Sequence, residues 1–465
     1  MVPPMISRRL VLAVLLLCRF GVGWKADIRA DSNRDGRVDI DGNTDLADKD
    51  EWSDLAGALF LANIGDTDGR CSQIALSGDR LSDEALAACN DASDDIQRSP
   101  GYMALIRTVP IQGLEDGAWA NVQVTEEISR KNVRLFRQEQ DEWIITTNDY
   151  KFNASELEAG LNLGIDARDT RRPSGWDGRA QVHLHVQNEL EVQVDDVYLR
   201  VAPILTSHHL MDVSEVLTAN VNDSKAQIKF VSDLRDILND PNLKKPLWLF
   251  NHSDDVWAQD FVEPAYTSMP GSEGPITLEV MIRSSQGSRT AGRQVFEYLR
   301  KTGRGAVYST GGTRNEIDSM GNLETIPPYS FKDKSFPAGR IIEGSHAKSY
   351  PSYPHVYDYM KAQEFQEPLV LDTDWLAVGH VDEIVQFLPA NTPYGWALYI
   401  ADLRAGIKIL EDAKEQHGDT PAFSRLNDTY TREGLGDVPG LTIAELLTDK
   451  LISATKDLLR NSTPS

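Results

Sequence analysis

The sequence predicts a mixed α+β protein, with a β-sandwich over residues 26–199 and an α/β region over residues 200–465. The first observation behind this is alternation. Asn121-Val122-Gln123-Val124, Val182-His183-Leu184-His185-Val186 and Glu191-Val192-Gln193-Val194 alternate polar and apolar residues, with turn residues between the runs. Successive side chains on a strand point to opposite faces, so this pattern makes strands with one buried face. Trp143-Ile144-Ile145 adds a short apolar run of the same kind. The second observation is a change of pattern after Arg200-Val201-Ala202-Pro203. Gly292 to Lys301 and Tyr357 to Glu364 have helical spacing and alternate with short apolar strands such as Leu247-Trp248-Leu249-Phe250. The third is composition: 465 residues, 41% hydrophobic and 25% charged, is enough for two or three globular domains and is not a disordered composition.

Residues 1–25 read as a secretory leader. Arg8-Arg9 supplies the basic start, Leu10 to Leu17 the apolar stretch, and Gly23 to Ala26 the small-residue region. The stretch is too short to span a bilayer, and no later one suggests a membrane segment. A secreted location follows as the expectation. Without the leader and its Cys18, Cys71 and Cys89 remain, and in an oxidising compartment such a pair invites a disulfide; two free thiols is the other reading. Sequons begin at Asn153, Asn222, Asn251, Asn427 and Asn461. The tail from Thr442 to Arg460 has helical spacing at Ile443, Leu446, Leu447, Leu451 and Ile452.

Charge narrows the partners. With 71 acidic and 47 basic residues the formal net charge is −24, which repels phosphate backbones and sets nucleic acid aside as a partner. Cations are the matching ligands. Asp31-Ser32-Asn33-Arg34-Asp35-Gly36-Arg37-Val38-Asp39 puts oxygen side chains at loop positions 1, 3, 5 and 9, with glycine at 6. Ca²⁺ takes six to eight oxygens, and this spacing converges them while glycine permits the tight turn. An EF-hand would carry Glu at position 12, where this chain has Gly42. Asp41, Asp45 and Asp48, or Asp66 and Asp68 in the second acidic turn Gly65-Asp66-Thr67-Asp68-Gly69, are the candidates for the remaining ligands. The competing reading is a solvated acidic loop.

Two segments in the second half carry candidate chemistry. One is Asp254-Asp255-Val256-Trp257-Ala258-Gln259-Asp260-Phe261-Val262-Glu263. The other is Trp375-Leu376-Ala377-Val378-Gly379-His380-Val381-Asp382-Glu383, which reads as a strand with His380 and Asp382 on one face. From chemistry alone such a pair serves acid–base work, ligates a metal or is structural. His208-His209 reads as a loop pair or a metal hint. Gly311-Gly312-Thr313 lacks the Lys-Ser/Thr of a phosphate-binding loop, and the serine-hydrolase and zinc-peptidase motifs are absent.

Together these motifs resemble the protein-arginine deiminases. Trp257-x-Gln259-Asp260, Asp318-Ser319-Met320-Gly321-Asn322-Leu323-Glu324, Pro327-Pro328, Pro337-Ala338-Gly339-Arg340-Ile341-Ile342 and Val378-Gly379-His380-Val381-Asp382-Glu383 occur in the family's order. The acidic loop at Asp31 resembles that family's calcium-binding middle domain. The resemblance implies an immunoglobulin-like β-sandwich followed by an α/β propeller, the pentein fold, incomplete at its C-terminal end.

It also implies a reaction, the calcium-dependent hydrolysis of peptidyl-arginine to peptidyl-citrulline and ammonia. Asp260 and Asp382 match the carboxylates that grip the guanidinium, a planar fork of donors suited to paired acids. His380 matches the general acid/base. Trp257 and Val378 match the walls of the substrate slot, and Arg289 matches an arginine that holds the substrate backbone. Gln259, Glu263, Glu324 and the carbonyls of Met320 and Leu323 match one family calcium site, while Phe261 stands where a second would need an acid. The implied partner is an arginine-containing protein or peptide. The family's nucleophile is a cysteine far downstream of His-x-Asp, and no Cys follows Cys89. The expectation is therefore an incomplete copy of a deiminase. The alternative is a secreted calcium-binding pseudoenzyme that recognises arginine-bearing partners without turnover.

Overall fold

Alternating runs before residue 202 pair into two five-stranded sheets. The strands are β1 (Ile28–Ala30), β2 (Ala58–Phe60), β3 (Ala104–Thr108), β4 (Trp119–Val124), β5 (Val133–Glu139), β6 (Glu142–Ile145), β7 (Phe152–Asn153), β8 (Asn162–Ala167), β9 (Arg179–Asn188) and β10 (Glu191–Val201). One sheet has the order β1-β3-β8-β5-β6 and the other β2-β10-β9-β4-β7. In β9, Ala180, Val182, Leu184 and Val186 are buried while Gln181, His183 and His185 are half-buried, the period of two that the sequence carries. Ile28, Ile106, Leu163 and Ile165 from the first sheet share one core with Phe60, Val122, Leu184, Val197 and Leu199 from the second. Each such side chain removed from water contributes about 1.5–3 kcal/mol.

The structure is a computed structural model. It describes residues 23–77, 81–221, 224–251, 255–309, 312, 316–346, 352–376, 378–420 and 442–448. The leader run and Cys18, the sequons at Asn222, Asn427 and Asn461, Gly311, Thr313 and the tail beyond residue 448 lie outside those residues. The chain divides into two compact units, Met1–Val381 and Asp382–Ser465. Trp24 is already part of the core of the first unit, and its indole Nε1 donates to Glu191. No helix among the described residues is long and apolar enough to cross a membrane.

Two polar features brace the first half. Arg134 and Asp166 are fully buried and paired in bidentate fashion through Nε and Nη2, at 2.8 Å and 2.7 Å. The remaining Arg134 nitrogen donates to the carbonyls of Asp91, Asp94 and Ile96, so one side chain ties down that loop. Cys71 and Cys89 form a disulfide with their Cα atoms 5.6 Å apart.

The rest of the first unit mixes short strands and helices, the mixed α/β class expected from the sequence. β11 (Leu205–Thr206), β12 (Val216–Ala219), β13 (Leu247–Phe250), β14 (Val262–Met269), β15 (Ile276–Arg283) and β16 (Arg304–Tyr308) follow in order. β12 and β13 pair in parallel, with the helix Lys225–Leu238 as their crossover. The sheet β11-β14-β15-β16 is mixed. A three-stranded sheet joins Leu323–Ile326, Arg340–Ser345 and Leu369–Asp372, and the helix Val356–Gln363 lies between the last two strands in sequence. Within it Glu343 is fully buried, and neither carboxyl oxygen has a hydrogen-bond partner among the described residues.

Gly292 to Lys301 does not form the α-helix its spacing suggests. It forms a 3₁₀ turn, Thr290–Arg293, and then a π turn, Val295–Leu299. The reason is a long-range contact. Arg283 donates to the carbonyl of Arg289, and its guanidinium lies 2.8 Å from where a Cβ on Gly292 would stand. The backbone is wrapped on that side chain rather than left to propagate a helix.

The acidic loop also meets the second half. A Cβ on Gly36 would lie 2.3 Å from the backbone of Gly271, in the turn between β14 and β15. In the second unit, Val385–Pro389 and Trp396–Ile400 form an antiparallel hairpin. The helix Leu403–His417 follows, capped by Asp402 accepting from the Ala405 N–H.

Candidate active site

The turn before β14 is set by packing. Ala258–Phe261 is a 3₁₀ turn, and Phe261 is buried edge-on against Phe250 of β13, with ring centroids 5.3 Å apart. That anchor leaves the preceding side chain, Asp260, turned into the interior, where it is 6% exposed. The Gly321 N–H donates to Asp260 Oδ1 at 3.2 Å. Trp257 stands exposed on the near side of the turn, and its N–H donates to Asp255.

Three groups meet Asp260. His380 Nδ1 lies 3.7 Å from Oδ1, and His380 Nε2 is 2.8 Å from the carbonyl oxygen of Glu316. Arg289 Nη2 is 2.9 Å from Asp260 Oδ2 and 2.6 Å from the Glu316 carboxylate, while Nη1 is 2.6 Å from Asp255. Arg289 Nε donates to Gln286 and Ser319. Burial pushes the Asp260 carboxyl above the usual carboxylate range; Arg289 and His380 oppose that shift and the Asp255 charge adds to it. The arrangement is a carboxylate held between a guanidinium and an imidazole, which can grip a planar cation and move a proton beside it.

Of the residues read from the sequence, Asp260, Arg289 and His380 come together here. His380 and Asp382 do not lie on a strand. The segment bends through Gly379, whose φ of +94° breaks the alternation, and Val381–Glu383 is a 3₁₀ turn. His346 Nε2 occupies the space a Cβ on Gly379 would need, so the bend is tied to tertiary packing. Asp382 is exposed and begins the second compact unit; Val378 is half-buried just before the bend. Asp255 and Glu316 were not singled out by sequence. Asp255 sits in a conspicuous acidic pair, whereas nothing near Glu316 marks it.

A second acidic group adjoins the turn. Glu263 is buried on β14, and its carboxyl is pushed well above its ordinary range by burial and then by the neighbouring Glu324. Glu324 accepts from the Gln259 amide at 3.0 Å and lies 3.3 Å from His209 Nε2. Met320 opens the 3₁₀ turn Met320–Asn322, and Leu323 starts the strand that carries Glu324. Two buried carboxylates thus adjoin, with the Gln259 amide nitrogen donating to one of them. His209 belongs to the histidine pair that the sequence offers as a loop pair or a metal hint, and it lies against Glu324.

The loop at Asp31 is organised around Asp45, which accepts from the N–H groups of Ser32, Asn33 and Asp39. Asp31 accepts from Asp35 and Gly36, Asn33 from Asp35, and Asp35 from Arg37. Asp39 accepts from the Thr44 hydroxyl. Burial first, then the charges of Asp45 and Asp35, push the Asp31 carboxyl up to about 6 against the pull of its N–H donors. Asp66 and Asp68 are engaged elsewhere. Asp66 accepts from the N–H groups of Cys71 and Ser72 at the start of a helix, and Asp68 pairs with Arg98 at 2.7 Å. Among the described residues no group of three or more His, Cys, Asp or Glu side chains is placed to hold a metal ion.

Comparison with known proteins gives a consistent match. Residues 191–462 fit the family model of protein-arginine deiminase. Human protein-arginine deiminase type-4 is 30% identical over 249 residues, which is 50% of this chain and 35% of that protein. Human type-1 is 28% identical over 275 residues, 56% of this chain and 39% of the relative. Human type-3 is 29% identical over 243 residues, with 50% and 35% covered. The matches thus span little more than a third of these relatives.

Proposed function

The chain belongs to the protein-arginine deiminase family, and from that premise we propose that it binds arginine side chains of proteins or peptides and takes part in their calcium-dependent hydrolysis to citrulline and ammonia. The observation that carries this is Asp260, buried between a guanidinium and His380 Nδ1. Asp260 accepts the substrate's N–H donors. His380, held by its Nε2 to the Glu316 carbonyl, presents Nδ1 to the same place, where it would take a proton from the water that attacks the guanidinium carbon and pass it to the nitrogen that departs as ammonia. Asp382 enters this reading through the family resemblance alone. So do the immunoglobulin-like domain over residues 26–199 and the pentein propeller from residue 200 onward.

Calcium, when bound, would offset the Glu263–Glu324 repulsion and hold Gln259 beside Asp260. Asp31, Asn33, Asp35, Asp39 and Asp45 would hold a second ion. A secreted location fits the disulfide.

One observation favours a second reading, arginine binding without turnover: Cys71 and Cys89, the described cysteines, are joined to each other and offer no thiol. The test is a peptidyl-arginine ligand added to the full chain with and without calcium. Calcium-dependent citrulline formation lost in Asp260→Asn supports the enzyme. Calcium-dependent binding lost in Asp260→Asn, with no citrulline, supports the second reading. No binding overturns both.

A further inference from the structure

The guanidinium on Asp260 belongs to the chain itself. Arg289 spends its donors on three carboxylates, Asp255, Asp260 and Glu316, and on Gln286 and Ser319. One cation needs one counterion, and a buried acid beside two others carries a cost that a lone structural ion pair would not demand. The position is also specific. The guanidinium lies on the carboxylate that His380 faces, where an arginine substrate's own guanidinium must lie for Nδ1 to reach a leaving nitrogen. Glu316 serves both groups, its carbonyl holding His380 and its carboxylate holding Arg289. The Glu316 side chain is 49% exposed and that of Asp255 22%, so the cluster is open to exchange from solvent.

We propose that Asp255, Asp260 and Glu316 form a guanidinium subsite and that Arg289 is its resident internal occupant, displaced by an incoming arginine side chain. This deepens the arginine-binding reading above and rests on it. Asp255 and Glu316 become specificity residues, because three carboxylate acceptors select a flat five-donor fork over a compact ammonium. Once displaced, Arg289 has donors free for carbonyl oxygens of the bound peptide, so one side chain closes the empty site and then holds the ligand's backbone.

The two roles separate by ligand. The full chain is titrated calorimetrically in calcium buffer with methylguanidinium, which has no backbone, and with N-acetyl-arginine amide, which has one. Arg289→Gln frees the subsite, so methylguanidinium should bind about tenfold more tightly than to wild type. N-acetyl-arginine amide should gain less, since its backbone partner is gone. Adding Glu316→Gln to Arg289→Gln should take back most of the methylguanidinium gain. Should Arg289→Gln fail to fold, Arg289→Lys keeps a cation without the fork and should give a smaller gain of the same sign. Unchanged or weaker methylguanidinium binding in a folded variant overturns the internal occupant. In that case N-acetyl-arginine amide binding by wild type, lost in Asp260→Asn, would still leave the arginine site standing. If neither ligand binds wild type or Arg289→Gln, the arginine site fails and takes this inference with it.

Discussion

His380 Nδ1 faces Asp260 Oδ1 across 3.7 Å, while His380 Nε2 sits 2.8 Å from the carbonyl oxygen of Glu316. A carbonyl only accepts, so Nε2 is the donor in that contact and Nδ1 is the nitrogen turned toward Asp260. At 3.7 Å the Nδ1 contact is an ion-pair distance rather than a hydrogen bond. A proton arriving on Nδ1 would therefore find a carboxylate in front of it and a fixed ring behind it, which is the tautomer control an acid/base residue needs.

Asp260→Asn keeps the shape of this site and removes its charge. Binding of N-acetyl-arginine amide should fall at least tenfold, with an unchanged circular dichroism spectrum. In the wild type, binding needs the ionised carboxylate. Because burial raises the Asp260 pKa, affinity should decline on acidification at a pH above the ordinary aspartate range. Calorimetry across pH checks both points, and the variant should show no such decline.

Glu343 gives a stability prediction of opposite sense to most acids. Burial, with the Asp358 charge adding, holds its folded pKa well above the unfolded value. The folded state then binds the extra proton, so this residue's effect is harmless at pH 4 and destabilising as pH rises beyond the ordinary glutamate range. Glu343→Met should stabilise by about 1–3 kcal/mol at pH 8, a rise of a few degrees in melting temperature. Melting curves at pH 8 and pH 4 should show that gain shrinking at the lower pH.

The Arg134–Asp166 pair should behave as a buried, fully bonded unit. Asp166→Ala leaves a buried guanidinium without its counterion and should cost about 3–5 kcal/mol, measured by denaturant titration. Arg134→Lys should recover little, because one ammonium cannot replace both the fork on Asp166 and the donor to three carbonyls.

Calcium should raise the melting temperature. An ion bound only to the folded chain, at a hundred times its dissociation constant, adds about 2.7 kcal/mol. Chelation should reverse the rise, and magnesium at equal concentration should do less because it gives up water reluctantly. Asp31→Asn should blunt the calcium response. A melting temperature indifferent to calcium and chelator would count against both cation sites.

The strand around Val182 to Val186 was legible because a period of two reports only which face a residue shows, and that face is buried; in Glu191–Val194 the same period misleads, since Val192 and Val194 are 50% and 54% exposed and burial begins only at Val197. The second half was less so. Gly292 to Lys301 carries helical spacing, but its backbone follows Arg283, a contact invisible to local pattern. The His380 segment reads as a strand until Gly379 bends it around His346. In the site, Asp260 and His380 stood out through their neighbours in sequence. Glu316 did not, since it works through a carbonyl to His380, 64 positions away, and a carboxylate to Arg289, 27 positions away.

The contact between Gly36 and Gly271 has a consequence for how this chain tolerates change. It is a joint between two bare backbones, with no side chain to trim or repack. Gly42, in the same loop, has a similar positive φ of +85° but open space where a Cβ would go. In a library selected only for folding, position 42 should accept Asn or Asp, which tolerate that backbone. Position 36 should accept glycine alone, since even a methyl group would pry the acidic loop off the hairpin that begins two residues after Asp260. The two glycines look alike in the sequence; one is a hinge pin, the other only a bend.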